Sequence, residues 1–95
     1  MQPSGIEAGV KLAGLCKALG HPARVLILRH LIARPLGATC GEIVAQLPLA
    51  QSTVSQHLRI LQRAGFIAST ADPPRTIYAA DPRGIEEFRK RVGTL

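Results

Sequence analysis

Between Thr39 and Gly65 the sequence runs TCGEIVAQLPLAQSTVSQHLRILQRAG, and its punctuation leaves few ways to fold. Thr39 and Glu42 head a short apolar-periodic run at the spacing of a capping box. In that motif the hydroxyl accepts from the Glu42 N–H while the carboxylate reaches back to the Thr39 N–H. Pro48 stops the run, and only Pro-Leu-Ala separates it from a longer helical stretch that opens at Gln51. Gly65 then supplies a left-handed cap. Two helices joined by so short a turn must cross steeply, which is the geometry of a helix-turn-helix.

The flanks read as helices and one hairpin. Residues 6 to 19, IEAGVKLAGLCKAL, carry Leu12, Leu15, Cys16 and Leu19 at helical spacing. Pro22 occupies the favoured first-turn position of a second helix, PARVLILRHLIAR, which is apolar almost all round and so is expected at the centre of a core. Pro35 and Gly37 end it. After Gly65 the period changes: FIAST and RTIYAA are β-favouring runs separated by ADPP, a hairpin with a constrained tip. Asp81 and Pro82 then form an N-cap and first-turn pair for a last helix, PRGIEEFRKRV. The expected fold is mainly α with a small β-hairpin, one domain over residues 1–95. With aromatic content at 3%, its core is expected from Leu, Ile, Val and Ala.

Charge gives the first functional constraint. Twelve Lys and Arg against six Asp and Glu leave a net charge of +6, which suggests a polyanionic partner, nucleic acid or anionic membrane. From Ile43 to Ala71 there is no acid at all. At 100° per residue, Val54, Leu58, Leu61 and Gly65 of the longer helix share one side, the side expected to face the core. Ser52, Ser55, Gln56, Arg59 and Arg63 share the opposite side, with Gln51 and Thr53 near the amino end and His57 at the border, within reach of a phosphate. Amides, hydroxyls and guanidinium groups are what a helix needs to read base edges in the major groove, where a carboxylate would meet phosphate repulsion. The amino end of the helix also attracts phosphate through its free N–H groups.

No run approaches the eighteen or so apolar residues of a membrane span. The start, MQPSGIEAGV, lacks the basic end and apolar core of a secretory signal. The two cysteines make no disulfide framework. The expectation is a cytoplasmic protein with reduced thiols and no membrane partner.

With these residues in view, the chain resembles the ArsR/SmtB family of bacterial winged-helix repressors. The resemblance spans about Lys17 to Tyr78 and rests on KALGHPARVLIL, TCGEIVAQL, LAQSTVSQHLRILQRAGFI and TIYAA, in that order. It implies a dimeric winged helix-turn-helix, with dimerisation helices at 6–20 and 82–92, a helix-turn-helix at 39–65 and a wing at 66–80. Its DNA-facing positions fall on Gln51, Ser52, Thr53, Ser55, Gln56 and Arg59, and Arg75 on the wing is placed to enter the minor groove or meet phosphate. Family members typically repress an operon from a near-palindromic operator and leave DNA when an inducer binds; the inducer here is unknown. Departures are His21 where Asp is usual, Ala50 where a capping Ser is common, and Pro73-Pro74 in a wing that commonly turns on Gly.

Many family members sense metals. The cysteines of the thiolate site resembling CVC would align with Thr39 and Gly41, and the last helix lacks the His of the other common site. Neither a metal nor a cofactor is therefore expected. Cys16 and Cys40 read first as small buried hydrophobes, with a thiol sensor or thiolate metal site as the alternative. His21 reads as part of a turn and His30 as a helix flank. The basic run Arg89 to Arg91 reads as favouring its helix's carboxyl end. The leading function is a sequence-specific DNA-binding regulator, a dimeric repressor. The alternative is a winged-helix protein-interaction module that reads no bases. No nucleophile–base pair, phosphate-cradling Gly loop or paired carboxylates supports an enzyme.

Overall fold

Side-chain caps at His21, Thr39 and Asp81 mark where three of the helices begin. The computed structural model describes residues 3–95; Met1 and Gln2, part of the expected domain, lie outside the described residues. The order is α1 (Pro3–Ala18), α2 (Pro22–Ile32), α3 (Cys40–Gln46), α4 (Gln51–Arg63), β1 (Ile67–Asp72), β2 (Arg75–Ala80) and α5 (Pro82–Gly93). At α3 the capping box is complete: Glu42 N donates to Thr39 Oγ1 at 3.1 Å and Thr39 N to Glu42 Oε1 at 2.9 Å. The bond from the Thr39 backbone N–H, and then the Thr39 hydroxyl, hold the Glu42 carboxyl below its ordinary value. Asp81 caps α5 by accepting from Arg83 N at 3.0 Å. His21, expected only in a turn, caps α2 in place of the usual Asp, its Nδ1 accepting from Ala23 N at 3.1 Å. The accepting Nδ1 of a ring can fill the acceptor's role in a cap.

The core gathers Leu15 and Ala18 of α1, Ile27, Leu28 and Leu31 of α2, Ile43 of α3, Val54, Leu58 and Leu61 of α4, and Phe66 and Ile67 leading into the hairpin. Its largest fully buried side chain is aromatic, against the expectation of an all-aliphatic interior. Phe66 meets Phe88 of α5 edge to face, with ring centroids 5.5 Å apart, so two of the few aromatics anchor α5 to the body. The expectation for α2 also needs correction. Ala23, Ile27, Leu28 and Leu31 are buried, but Val25, Leu26 and Ile32 are exposed, because α2 packs against α4 and β2 on one side only.

The hairpin is antiparallel, in register from Ile67 opposite Ala80 to Asp72 opposite Arg75. The strands run closer to the tip than the sequence suggested, taking in Ala71 and Asp72. Only Ile67 of β1 is buried, so the wing stands away from the body. Its base is stitched on by a reciprocal pair of 2.8 Å bonds between Ala38 and Tyr78. Gly37, at φ +84°, permits that approach; a Cβ there would lie 2.6 Å from the Tyr78 carbonyl oxygen.

Candidate nucleic-acid interface

Four apolar ties and two polar ones orient α4. Val54, Leu58 and Leu61 are buried as the helical period requires, and Phe66 continues the same apolar seam after Gly65, which adopts φ +86° as the left-handed cap. Gln62 Nε2 donates to Ser69 Oγ at 2.9 Å, joining α4 to the first strand of the wing. The second polar tie involves Arg24 of α2. Its Nε donates to the Ala18 carbonyl at 2.6 Å and its Nη2 to the Lys17 carbonyl at 3.3 Å, closing the carboxyl end of α1. α1 ends at Ala18 and does not run to Gly20. The remaining nitrogen, Nη1, lies 3.2 Å from His57 Nδ1.

His57, expected at the border of the DNA-facing row within reach of a phosphate, is only 7% exposed and faces inward. The His21 ring lies against it at a centroid distance of 4.5 Å. Burial, with repulsion from His21 and Arg24, holds its pKa below the ordinary value and keeps it neutral. Arg24 has no acceptor capacity, so His57 Nδ1 is the unprotonated nitrogen of the ring. At 40° from Leu61 on the helical wheel, the inward position of His57 is recoverable from period alone; its partner, thirty-three residues earlier, is not.

The other sequence-chosen residues lie on the outer side. Gln51, Ser52, Gln56, Arg59 and Arg63 are exposed, and Thr53 and Ser55 are half-buried. No side chain caps α4, because Ala50 offers no acceptor, and its first-turn N–H groups lack a side-chain partner at the cap. Arg75 sits at the wing tip, where its Nη2 meets Asp72 Oδ2 at 2.8 Å; both side chains stay more than half exposed. Sequence reasoning missed this pairing, and it missed Gln62 and Arg24 as the residues that fix α4.

The cysteines differ from their expected burial. Cys16 is exposed on α1, and Cys40 is half-buried at the head of α3, where burial raises its thiol pKa. Among the described residues no group of His, Cys, Asp and Glu gathers in metal-binding array, and no helix is long and apolar enough to cross a membrane.

A steep helix pair, a second helix with an acid-free outer row and a projecting hairpin define a winged helix-turn-helix DNA-binding protein. A helix-turn-helix domain family model matches residues 19–70. The HTH-type transcriptional regulator YgaV of Escherichia coli (strain K12) is 40% identical over 67 residues, covering 70% of this chain and 67% of that protein. The crystal structure of Mycobacterium tuberculosis Rv0081 superposes with a TM-score of 0.73 at 30% identity, covering 99% of this chain and 89% of that one. The homodimeric winged helix-turn-helix domain of Mb0332 from Mycobacterium bovis, a possible ArsR-family regulator, shares the fold with a TM-score of 0.80 at 18% identity, covering 99% and 85%. The chain belongs to the helix-turn-helix transcriptional regulators, a family of DNA-binding regulators and not of enzymes.

Proposed function

We propose that this chain is a repressor that binds a near-palindromic operator as a homodimer, with α4 of each protomer in successive major grooves and the wings on the flanking backbone. The observation that carries the reading is the outward row Gln51, Ser52, Thr53, Ser55, Gln56, Arg59 and Arg63, set in a stretch without a single acid. Gln56 and Arg59 stand where bidentate contacts to adenine and guanine are made, while the bare amino end of α4 suits a phosphate. Arg63 and Arg75 serve the backbone.

Surface area supports the homodimer. A compact monomer of 10.1 kDa exposes about 5,300 Å² by the usual mass scaling. This chain exposes 6385 Å². The excess of about 1,100 Å² exceeds the roughly 800 Å² that each partner contributes to a standard interface. Ile6 on α1, Val92 at the end of α5, and Leu95 beyond it are exposed and apolar, which supports α1 and α5 as the pairing helices. Release from DNA by an inducer completes the proposal.

The test is binding to a selected operator and to random duplex across a salt series. Gln56→Ala and Arg59→Ala should each cost about 1–3 kcal/mol on the operator and relax base preference. Losses of equal size on random DNA would make both residues phosphate contacts and remove the base-reading claim. A chain that stays monomeric on the operator would remove the palindrome.

A further inference from the structure

A groove of about 520 Å³ runs between α1 and the carboxyl half of α4. Its walls are Val10, Gly14, Leu15 and Ala18 on one side and Ile60 and Ala64 on the other. Lys11, Lys17, Arg24 and Arg63 line its rim, and no acid does. Arg24 is committed to the α1 carbonyls and His57. Lys11, Lys17 and Arg63 enter no ion pair among the described residues. Val10 is 69% exposed and Ile60 37%, so apolar surface here meets water.

We infer that this groove binds a small organic anion, a carboxylate with a compact apolar body, and that this ligand is the inducer. The inference rests on the regulator reading for its consequence but not for its site. Volume fits a small-molecule pocket, which spans about 300–1,000 Å³. The chemistry is complementary at both ends: an apolar tail covers Val10, Leu15 and Ile60, and the carboxylate meets the unpaired ammonium and guanidinium groups on the rim. A neutral ligand would leave those cations without a partner, and a cationic one would be repelled.

Arg63 supplies the link to DNA, because it belongs to the groove rim and to the outer row of α4 alike. An anion that draws the guanidinium toward α1 removes it from phosphate. Ile60 and Ala64 carry the same ligand contact directly to the recognition helix. Since ligand and duplex then compete for one side chain, each must weaken the other.

Decanoate is the probe, measured by calorimetry on the full chain below its micelle-forming concentration, with decanol and decylammonium as controls. Decanoate should bind one per chain, with both controls weaker by tenfold or more, the usual worth of a charge-assisted contact. Adding decanoate should release the operator. Gly14→Leu provides the decisive variant, since a Cβ at Gly14 meets nothing within 4 Å and the longer side chain fills the groove. It should fold and lose decanoate binding and release together, release being read as the ratio of its own operator affinities without and with decanoate. Lys17→Gln should weaken decanoate alone. Equal binding of decanol, unchanged binding by Gly14→Leu, or no binding because a second copy of the chain covers the groove would each overturn the inference. Decanoate binding without any effect on operator affinity would leave the site standing and refute its role as inducer site. Failure of operator binding itself, with decanoate still bound, would count against the regulator reading and not against the site.

Discussion

Asp72 is the only acid on the proposed DNA-facing hairpin, and its removal should strengthen DNA binding. Its carboxylate accepts from Arg75 at 2.8 Å, with side-chain exposures of 57% and 59%. Two unit charges at that separation attract by about 1.5 kcal/mol at the dielectric constant of water. Ordering two side chains and screening by salt reduce the net value to about 0.5 kcal/mol. Asp72→Asn should therefore lower Tm by no more than about 4 °C in a domain this size. On DNA the same change frees a guanidinium and removes a charge that phosphate repels. Affinity measured by anisotropy should rise severalfold, and the log–log salt slope should steepen by about 0.9 as one more phosphate is neutralised. Arg75→Ala should leave the slope nearly unchanged while Asp72 is present, and combined with Asp72→Asn it should cancel the steepening. Weaker binding by Asp72→Asn, or an unchanged slope, would mean that Asp72 holds Arg75 in its working position or that the wing never meets the duplex.

Gly84→Ala should cost about 2–3 kcal/mol, seen as a Tm fall on the order of 10–20 °C, because the new Cβ overlaps the Gly65 carbonyl oxygen and lies 2.6 Å from its carbon; an unchanged Tm would mean that α5 shifts freely. His57 and His30 both have pKa values lowered from 6.5, chiefly by burial. The unfolded chain therefore binds protons there that the folded chain refuses, so stability is complete above pH 6.5 and falls as pH drops below it toward the depressed values. Denaturant midpoints taken from pH 7 to pH 5 check this, and His57→Asn, which keeps an acceptor for Arg24 but cannot titrate, should flatten part of the decline. Ala50→Ser should raise stability by about 1 kcal/mol by capping α4, while giving no gain in operator affinity. A rise in affinity would show that phosphate does not occupy that helix end.

Local chemistry explains which parts of the fold were legible in the sequence. Thr39 with Glu42, Pro48, Gly65 and Asp81 act within a few residues of themselves, so their caps and stops could be read directly. The outer row of α4 was legible for the same reason, since 3.6 residues per turn relates Ser52 to Gln56 and Arg59 without reference to the rest of the chain. The surroundings of His57 are not legible locally, because they come from elsewhere: Arg24 and His21 on and before α2 make a polar recess for a side chain that period places beside the core. The exposed side of α2 was illegible for a related reason. A run such as Val25-Leu26 followed by Ile32 cannot reveal which of its apolar faces the same chain covers.

These polar contacts also explain how a helix with unsatisfied outer chemistry can hold a fixed position. Base-edge contacts need donors and acceptors placed to within about half an ångström, and that precision requires a frame beneath them. Val54, Leu58 and Leu61 fix the depth and rotation of α4, but apolar contacts alone tolerate sliding along the helix axis. Directional bonds do not. Arg24 pins the middle of α4 at His57 and Gln62 pins its last turn to the wing at Ser69, so that translation would break one bond or the other. The amino end, where Ala50 gives no cap, is left without a side-chain partner for its N–H groups. In the proposed docking a duplex would supply those bonds only when α4 enters at the correct depth, so the missing cap would check docking geometry as well as hold a phosphate.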